Sequence, residues 1–254
     1  MQEEQQIMGM PVTVEISAAD NLLKASAGAA KNAIAEVFNY FHSVDEKFSP
    51  FKNESELMRI NRGEISRENF SAEMSEVLKL SEDTRRQTGG FFDIRLKENI
   101  YDPSGLVKGW AIWNAAKLLE NGGFKNFYIS VGGDIQASGK NSAGEKWSIG
   151  IKNPFNPLQI VKVVRVKNAG IATSGTYEQG QHIYIPQKPG ASIDEIVSIT
   201  VIGPNIYEAD RFATAAFAMG NDGIDFIENR AGLEAYVIDR NGATSQTSGF
   251  SKYL

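Results

Sequence analysis

The sequence predicts an α+β fold, a single compact domain over residues 1–254 with mixed helices and largely antiparallel strands. A length of 254 residues fits one large domain. A composition of 42% hydrophobic and 22% charged residues supplies a sizeable core. Helical and strand patterns are mixed without the steady strand–helix–strand alternation of a parallel sheet. These observations together favour helices packed on an antiparallel sheet.

The first half of the chain is predicted to be mainly helical after one short strand. Residues 10–16 (MPVTVEI) are β-branched and partly alternating, as in a strand. Ser71 is a suitable N-cap for a helix that stops at Gly89-Gly90. A loop over 93–107 is expected to lead into a third helix, roughly 110–119. A long helix is predicted by an apolar stripe at Ala30, Ile34, Val37, Phe41 and Val44, and short helical turns are predicted over 54–60.

The second half is predicted to be rich in strands, with two helices near its end. The dipeptide Asn241-Gly242 after 236–238 is typical of the turn of a β-hairpin. The helices are expected near 208–219 and 222–229. The strands are expected near 127–131, 147–152, 159–167, 170–173, 182–185 and 196–202.

Composition excludes several classes of function. The chain has no Cys, which excludes disulfides, thiolate nucleophiles and Cys-based metal sites. His42 and His182 are its only two histidines, so any metal is expected to be held mainly by oxygen. The net charge of −5 gives no basic field for nucleic acid. No leader pattern or apolar run long enough for a membrane span is present, and a cytoplasmic location is expected.

The segment 208–220 carries the clearest candidate for a cation site. Asp210 and Thr214 are four residues apart, so on a helix they share one face. A carboxylate and a hydroxyl are oxygen ligands that suit Mg²⁺, with waters or substrate phosphates completing the coordination. The alternative is structural: Asp210 favours the helix dipole and Thr214 is a hydroxyl on the core side.

Two further segments are candidates for binding phosphate. Lys108-Gly109 is expected to precede a helix directly, where a Lys beside a helix N-terminus attracts anions. The run 172–176 (ATSGT) places hydroxyls and backbone N–H groups behind a strand. The structural alternatives are a solvated surface Lys and an ordinary turn. His182, in a strand-like run, is either a general acid/base or a satisfied structural residue.

The order of these short segments resembles that of the FAD:protein FMN transferase family, also called ApbE-type flavin transferases, from Met8 to about Gly242. The chain is similar to a short variant of that family. The matching segments are Met8-Gly9, Phe48-Ser49-Pro50-Phe51, Ser55-Glu56-Leu57, Asn61, 88–93 (TGGFFD), 102–109 (DPSGLVKG), 132–134 (GGD), 151–154 (IKNP), 172–175 (ATSG), 182–186 (HIYIP) and 209–214 (ADRFAT).

The resemblance implies a Mg²⁺-dependent transfer of FMN from FAD to a Thr or Ser hydroxyl of an acceptor protein, with release of AMP. It implies metal binding by Asp210, Thr214 and a backbone carbonyl near Val107. It gives catalytic roles to His182, Asp210 and Lys108. The FAD site that it implies is formed by Met8, Phe51, Asn61, Phe91, Phe92, Asp93, Lys108, Thr173, Ser174 and Ile183.

Two departures from the family pattern, at Ile185 and Trp113, favour a second hypothesis, and a third lies between Asp93 and Asp102. The family reads H-I-x-D-P where this chain has Ile185, and K-G-x-x-x-D where it has Trp113. The stretch between Asp93 and Asp102 is also shorter than usual. The alternative function is therefore an FAD-binding protein, or an FAD pyrophosphatase, with weak or no transferase activity.

Overall fold

The computed structural model describes residues 1–22, 26–97, 99–175, 186 and 192–254. The α-helices given bounds there are α1 (Ala27–Phe48), α2 (Glu56–Asn61), α3 (Ala72–Gln87), α4 (Ser104–Asn121), α5 (Ile206–Ala218) and α6 (Gly223–Glu228). The strands are β1 (Gln2–Ile7), β2 (Met10–Ile16), β3 (Arg95–Lys97), β4 (Ile100–Tyr101), β5 (Phe127–Val131), β6 (Asp134–Ser138), β7 (Trp147–Asn153), β8 (Asn156–Val166), β9 (Ala169–Gly175), β10 (Ile196–Gly203), β11 (Glu234–Asp239) and β12 (Thr244–Gln246).

Eight of these strands form one sheet in the order β1-β2-β5-β6-β9-β10-β11-β12. Every neighbouring pair in it is antiparallel. The strand pairs β3–β4 and β7–β8 form two separate hairpins. The predicted α+β class with largely antiparallel strands is therefore confirmed, whereas a single domain over residues 1–254 stays a prediction.

Both faces of the central sheet are covered over strands β6, β9, β10 and β11, which makes three layers there. On one face, buried residues of α1, α4 and α5 pack with sheet residues such as Ile129 and Ala172 in the larger core. On the other face, the β7–β8 hairpin contributes Trp147 and Val164 to a smaller core that includes Ile171. Because Ile171 and Ala172 are consecutive, their side chains point to opposite faces of β9. The middle strands are consequently buried on both sides.

Several elements match their predicted positions, since their local signals are strong. Strand β2 has the predicted bounds, and helices α1, α2 and α3 lie where the apolar periodicity places them. The hydroxyl of Ser71 caps α3 by accepting a hydrogen bond from the backbone N–H of Met74 at 3.1 Å. The late strands, both late helices and the final hairpin are also confirmed within a few residues. The strand expected at 182–185 lies outside the described residues.

The prediction was wrong at three places. Strands β1 and β6 were not expected, because Gln2–Ile7 is polar and Asp134–Ser138 is short, with only Ile135 and Ala137 apolar. The expected loop over 93–107 contains the β3–β4 hairpin and the beginning of α4. Helix α4 begins at Ser104 and continues through Gly109, so Lys108-Gly109 lies inside a helix and does not precede one. In the described part of the chain, no helix is long and apolar enough to cross a membrane.

Candidate active site

Helices α4 and α5 contact each other through two glycines of α4. The backbone N–H of Gly109 donates a hydrogen bond to Asp210 Oδ2 at 2.7 Å. A Cβ atom at Gly109 would lie only 2.6 Å from Asp210 Cβ, and one at Gly105 would lie 3.1 Å from Thr214 Cγ2. Glycine at 109 therefore lets α5 approach closely enough to receive this hydrogen bond. Asp210 and Thr214 share the face of α5 that meets α4, as their spacing predicted.

The sheet fixes the N-terminus of α5. The buried side chain of Gln136, on β6, accepts a hydrogen bond from the backbone N–H of Ile206 at 2.9 Å. Gly170, on β9, leaves room for this contact, because a Cβ atom there would lie 2.0 Å from Ile206 N. The side chain of Asn205 caps the helix by accepting from the N–H of Glu208 at 2.9 Å. Asp210 is consequently held one turn into a helix that is anchored on the sheet.

Three charged side chains meet where α4, α5 and β6 come together, and we call Lys108, Asp134 and Asp210 the charge cluster. Lys108 Nζ lies 2.8 Å from Asp134 Oδ2. The other oxygen of Asp134 accepts a hydrogen bond from the backbone N–H of Thr173 at 3.1 Å. Both carboxylates are almost fully buried, whereas the side chain of Lys108 is partly exposed. The cluster thus places two carboxylates and one ammonium group together with little water.

Burial raises the pKa of the Asp210 carboxyl above its ordinary value. The positive charge of Lys108 opposes this rise, and the negative charge of Asp134 adds to it. One ammonium group does not balance two buried carboxylates, so ionising Asp210 in the folded protein is unfavourable. A bound cation would favour the ionised form of Asp210 and neutralise the excess negative charge.

The donor atoms at this position fit a hard cation. Asp210 supplies a carboxylate, and Thr214 supplies a hydroxyl whose oxygen lies 3.3 Å from the carbonyl oxygen of Gly105. Among the described residues, no three His, Cys, Asp or Glu side chains form a group that could hold a metal. A site with so few protein ligands suits Mg²⁺, which keeps several waters or substrate phosphates. Metal coordination by the Val107 carbonyl stays a prediction, since Gly105 provides the carbonyl contact to Thr214.

Some residues expected to bind FAD lie near the charge cluster or at the same end of the sheet. Phe92 is buried, and a Cβ atom at Gly105 would lie 3.3 Å from its ring. Met8 is in the tight turn between β1 and β2 and has a φ of 55°. That turn lies at the sheet end where β5 leads into β6, because Val12 pairs with Val131. Phe91 and Thr173 are half-buried, and Ser174 is buried.

Other predicted FAD residues have structural contacts of their own. Asn61 forms two hydrogen bonds of 2.9 Å with the backbone of Tyr101, which ties α2 to β4. Asp93 accepts hydrogen bonds from Arg95. Hydrogen bonding and the charge of Arg95 hold the pKa of the Asp93 carboxyl below its ordinary value, although burial acts in the opposite direction. Phe51 is 92% exposed, so its ring is open to stacking.

A cavity of about 630 Å³ adjoins Asp93. Its walls combine apolar side chains such as Ile60 and Phe70 with the charged side chains of Glu82 and Arg95. Among the described residues that were predicted to bind FAD, Asp93 alone lies on its wall, and Lys108, Asp134 and Asp210 are not among the lining residues. The cavity is therefore a separate feature from the charge cluster.

Asp134 is the residue of this site that the sequence prediction did not assign a role. Its signal is the G-G-D turn, which was noted as a motif without a function for the carboxylate. The structure shows that Asp134 pairs with Lys108 and occupies the backbone N–H of Thr173. That N–H group is therefore already hydrogen-bonded within the protein, whereas the sequence pattern predicted that it binds a phosphate. The Thr173 hydroxyl is hydrogen-bonded to that of Thr200 at 2.8 Å.

Four predicted positions remain, and three of them lie outside the described residues. His182, Ile183 and the departure at Ile185 lie outside the described residues. Trp113 is half-buried on α4, and Lys117 Nζ lies 5.3 Å from the centre of its ring.

The fold is shared with solved flavin transferases. The flavin transferase ApbE from Vibrio cholerae superposes with a TM-score of 0.80 over 100% of this chain and 99% of its own, at 21% identity. The apo form of the flavinyl transferase ApbE from Pseudomonas stutzeri gives a TM-score of 0.83, covering 100% and 97% of the two chains at 19% identity. The architecture is therefore that of the ApbE-type flavin transferases.

Sequence comparison establishes the family. The model of the ApbE family matches residues 8–101 and 97–237, so the chain belongs to the ApbE family. The FAD:protein FMN transferase of Escherichia coli K12 is 31% identical over 155 residues, which is 58% of this chain and 44% of that protein. The enzyme of the same name from Haemophilus influenzae is 33% identical over 164 residues, 59% and 47% of the two chains. The matched part spans less than half the length of these curated relatives.

Proposed function

We propose that this protein transfers FMN from FAD to a Thr or Ser hydroxyl of an acceptor protein, with Mg²⁺ and with release of AMP. The observation that carries the proposal is the charge cluster, where Asp210 faces α4 beside Lys108 and Thr214 lies one helical turn away. Membership of the ApbE family and the names of its relatives support FAD as the substrate. A transfer of this kind depends mainly on positioning and on stabilising the charge of the phosphate oxygens.

The residues divide this work between binding and positioning. Asp210 and Thr214 would hold Mg²⁺, which when bound supplies positive charge next to the phosphate oxygens. Lys108 offers an ammonium group to the same phosphates. Asp134 lies 2.8 Å from that ammonium and is itself fixed by the Thr173 N–H, so it acts as a positioning residue.

The bond changes follow from the substrate. The acceptor hydroxyl oxygen forms a bond to the phosphorus of the FMN half, and the bond from that phosphorus to the AMP oxygen breaks. AMP leaves with the bridging oxygen, and the hydroxyl proton passes to a base. We assign His182 as this base from its place in the H-I-x-x-P segment. We expect His182→Ala to slow transfer more than it weakens FAD binding, as measured by AMP release and FAD titration.

A combined assay of AMP and acceptor mass tests the proposal. The protein is mixed with FAD, Mg²⁺ and a candidate acceptor that carries a Thr among small residues. AMP is followed by chromatography, and the acceptor is followed by intact mass. AMP together with an FMN-sized mass gain is the expected result. Asp225→Asn, an exposed carboxylate change on α6, is the matched control for Asp210→Asn and should leave the rate unchanged.

The other outcomes favour the second candidate function. AMP and free FMN without any mass gain would indicate an FAD pyrophosphatase. FAD that is bound but stays intact would indicate a flavin-binding protein. The departures at Ile185 and Trp113 favour these alternatives, because each replaces a carboxylate of the family pattern. If Ile185→Asp raised the rate, the missing carboxylate would be identified as the limiting feature.

A further inference from the structure

The β7–β8 hairpin has an outer face that the rest of the described structure does not cover. Its inner side chains, among them Trp147, Ile149 and Val166, are buried against the central sheet. Register places Lys152 beside Ile160, Gly150 beside Val163 and Ser148 beside Arg165 on the opposite side. We call this outer surface, together with the tip of the hairpin, the hairpin face; it consists of Lys152, Leu158, Ile160, Val163 and Arg165, with Phe155 at the tip.

The hairpin face is unusually apolar for an exposed surface. Leu158 is 96% exposed, Phe155 55%, Ile160 52% and Val163 47%. These four account for half of the eight large apolar side chains exposed in the described part of the chain. Moving such side chains out of water lowers the free energy of the system. Their concentration on one hairpin therefore indicates a binding surface.

The same hairpin is strongly basic within an acidic protein. Residues 146–167 contain five basic residues and no acidic residue, whereas the whole chain has a net charge of −5. Lys152 and Arg165 are exposed on the hairpin face itself, and Lys146 and Lys167 are exposed at its base. Positive charge at the hairpin and negative charge elsewhere give the molecule a polarity that turns the hairpin toward an anionic surface.

The tip of the hairpin lies at the same end of the sheet as the charge cluster. A Cβ atom at Gly242 would lie 3.8 Å from the ring of Phe155. Gly242 is in the turn that follows Asp239, which pairs with Ile196. Along β10, this is the end where Ser198 pairs with Gly175 of β9, just beyond Thr173. A partner bound at the tip would therefore lie at the end of the sheet that carries the charge cluster.

We propose that the hairpin face docks the protein on the surface of an anionic lipid bilayer. One apolar side chain that projects almost fully, three others that are about half exposed, and Lys and Arg beside them match the interface of a membrane with acidic headgroups. A side chain as exposed as Leu158 enters a fluid surface without a preformed pocket, whereas a protein partner would have to provide a matching cleft. Binding is peripheral and needs no spanning helix.

Vesicle co-sedimentation tests this proposal without FAD, Mg²⁺ or an acceptor, so its outcome is independent of the proposed function. The full chain is sedimented with phosphatidylcholine vesicles, with and without about 30 mol% phosphatidylglycerol. We expect binding only to the anionic vesicles, and weaker binding as salt rises from about 0.05 M to about 0.5 M.

Matched variants distinguish binding through the hairpin face from non-specific adsorption to vesicles. The double variant Leu158→Ser/Ile160→Ser should lower vesicle binding about tenfold or more, since two exposed apolar side chains are lost. Lys152→Gln/Arg165→Gln should reduce the binding at low salt. Leu96→Ser removes an apolar side chain that is 48% exposed on the β3–β4 hairpin, and it should leave vesicle binding unchanged. Thermal unfolding of each variant checks that the fold is retained.

Three outcomes would overturn the proposal. The first is that the wild type does not sediment with anionic vesicles. The second is that Leu158→Ser/Ile160→Ser binds vesicles as well as the wild type, or as well as Leu96→Ser. The third is that the wild type does not bind vesicles but is retained on immobilised poly-L-glutamate in a salt-sensitive way, whereas the hairpin-face variants are not retained. That result would indicate that the hairpin face binds an acidic protein.

Discussion

At the residue scale, Asp210 is the side chain with the most unfavourable environment in the candidate site. It is buried beside Asp134, and one oxygen already accepts the Gly109 N–H. Such an arrangement is costly for the folded protein unless a cation or a proton is present. The site is therefore better explained by ligand binding than by stability, which agrees with the proposed role of Asp210.

Asp210→Asn tests that role because it keeps the shape and removes the charge. The amide oxygen can still accept the hydrogen bond from Gly109. We expect the free energy of unfolding of the metal-free protein to rise by about 1 kcal/mol or more, as an unfavourable buried ionisation is lost. AMP release should fall by at least about 100-fold, a loss typical of removed charge stabilisation. Chemical denaturation and chromatography measure the two effects, and a destabilised yet active variant would contradict this.

The raised pKa of Asp210 also predicts a dependence of stability on pH. The folded protein holds this proton to higher pH than the unfolded chain, so the contribution of Asp210 to stability is full below the unfolded pKa, near 3.8. It is lost as pH rises toward the folded pKa. In metal-free buffer, the wild type should therefore lose stability relative to Asp210→Asn between about pH 5 and pH 8. Parallel pH curves for the two proteins would exclude this linkage.

Mg²⁺ supplies the control for the pH experiment. A cation bound to the ionised carboxylate should flatten the wild-type curve, because it removes the cost of ionisation. The variant, which lacks the charge, should respond little. Denaturation curves collected with and without Mg²⁺ at each pH test whether the cation removes the pH dependence of the wild type.

At the element scale, the contact between α4 and α5 decides the geometry of the site. Gly105 and Gly109 are one helical turn apart and face Thr214 and Asp210, which are also one turn apart. The close approach allows the backbone N–H of Gly109 to reach Asp210 directly. A larger residue at 109 would separate the helices and break that hydrogen bond.

Gly109→Ala measures this packing, and Gly28→Ala in α1 is its matched control. Both changes raise helix propensity, by up to about 1 kcal/mol. At Gly28 the nearest atom to a new Cβ is 4.0 Å away, so we expect the free energy of unfolding to stay the same or to rise slightly. At Gly109 the new methyl group would meet Asp210 Cβ at 2.6 Å and Ile206 O at 2.9 Å. We expect a loss of about 1–3 kcal/mol there, and equal unfolding free energies for the two variants would contradict it.

At the scale of the whole molecule, substrate and cation should stabilise the protein together. The elements that form the site are distant in sequence, since Gly109, Asp134 and Asp210 lie on α4, β6 and α5. A ligand that binds all of them stabilises the folded state as a whole. At concentrations far above its Kd, FAD with Mg²⁺ should raise Tm by roughly 5 °C or more. Linkage also requires that each ligand tighten the binding of the other, if they share a site.

Thermal melts with each ligand alone and with both together test this prediction. A combined shift larger than the sum of the separate shifts is expected. Asp210→Asn should lose the contribution of Mg²⁺ while keeping part of the shift caused by FAD. Separate shifts that simply add would place the two ligands at independent sites.

The α+β class, most elements and the shared helix face of Asp210 and Thr214 were predictable from the sequence. These features depend on local signals: apolar periodicity, the Ser71 cap, and the spacing of four residues within a helix. The sequence failed where local signals are weak or misleading. Gly109 looked like a helix boundary because glycine disfavours helices, yet it lies inside α4, where contact with α5 requires it. Strand β6 was missed because it is short and three of its five residues are polar, although all five are buried.

Which charged side chains meet depends on how the elements pack together. Lys108, Asp134 and Thr173 are far apart in sequence, and no spacing rule joins the G-G-D turn to the Lys of another segment. Their contact follows from the order of strands β6 and β9 in the sheet and from the anchoring of α4 and α5 on it. The hairpin face likewise exists because β7 and β8 pair with each other and bury only one side. Local physics sets the elements, and the packing of the sheet against the helices sets the site.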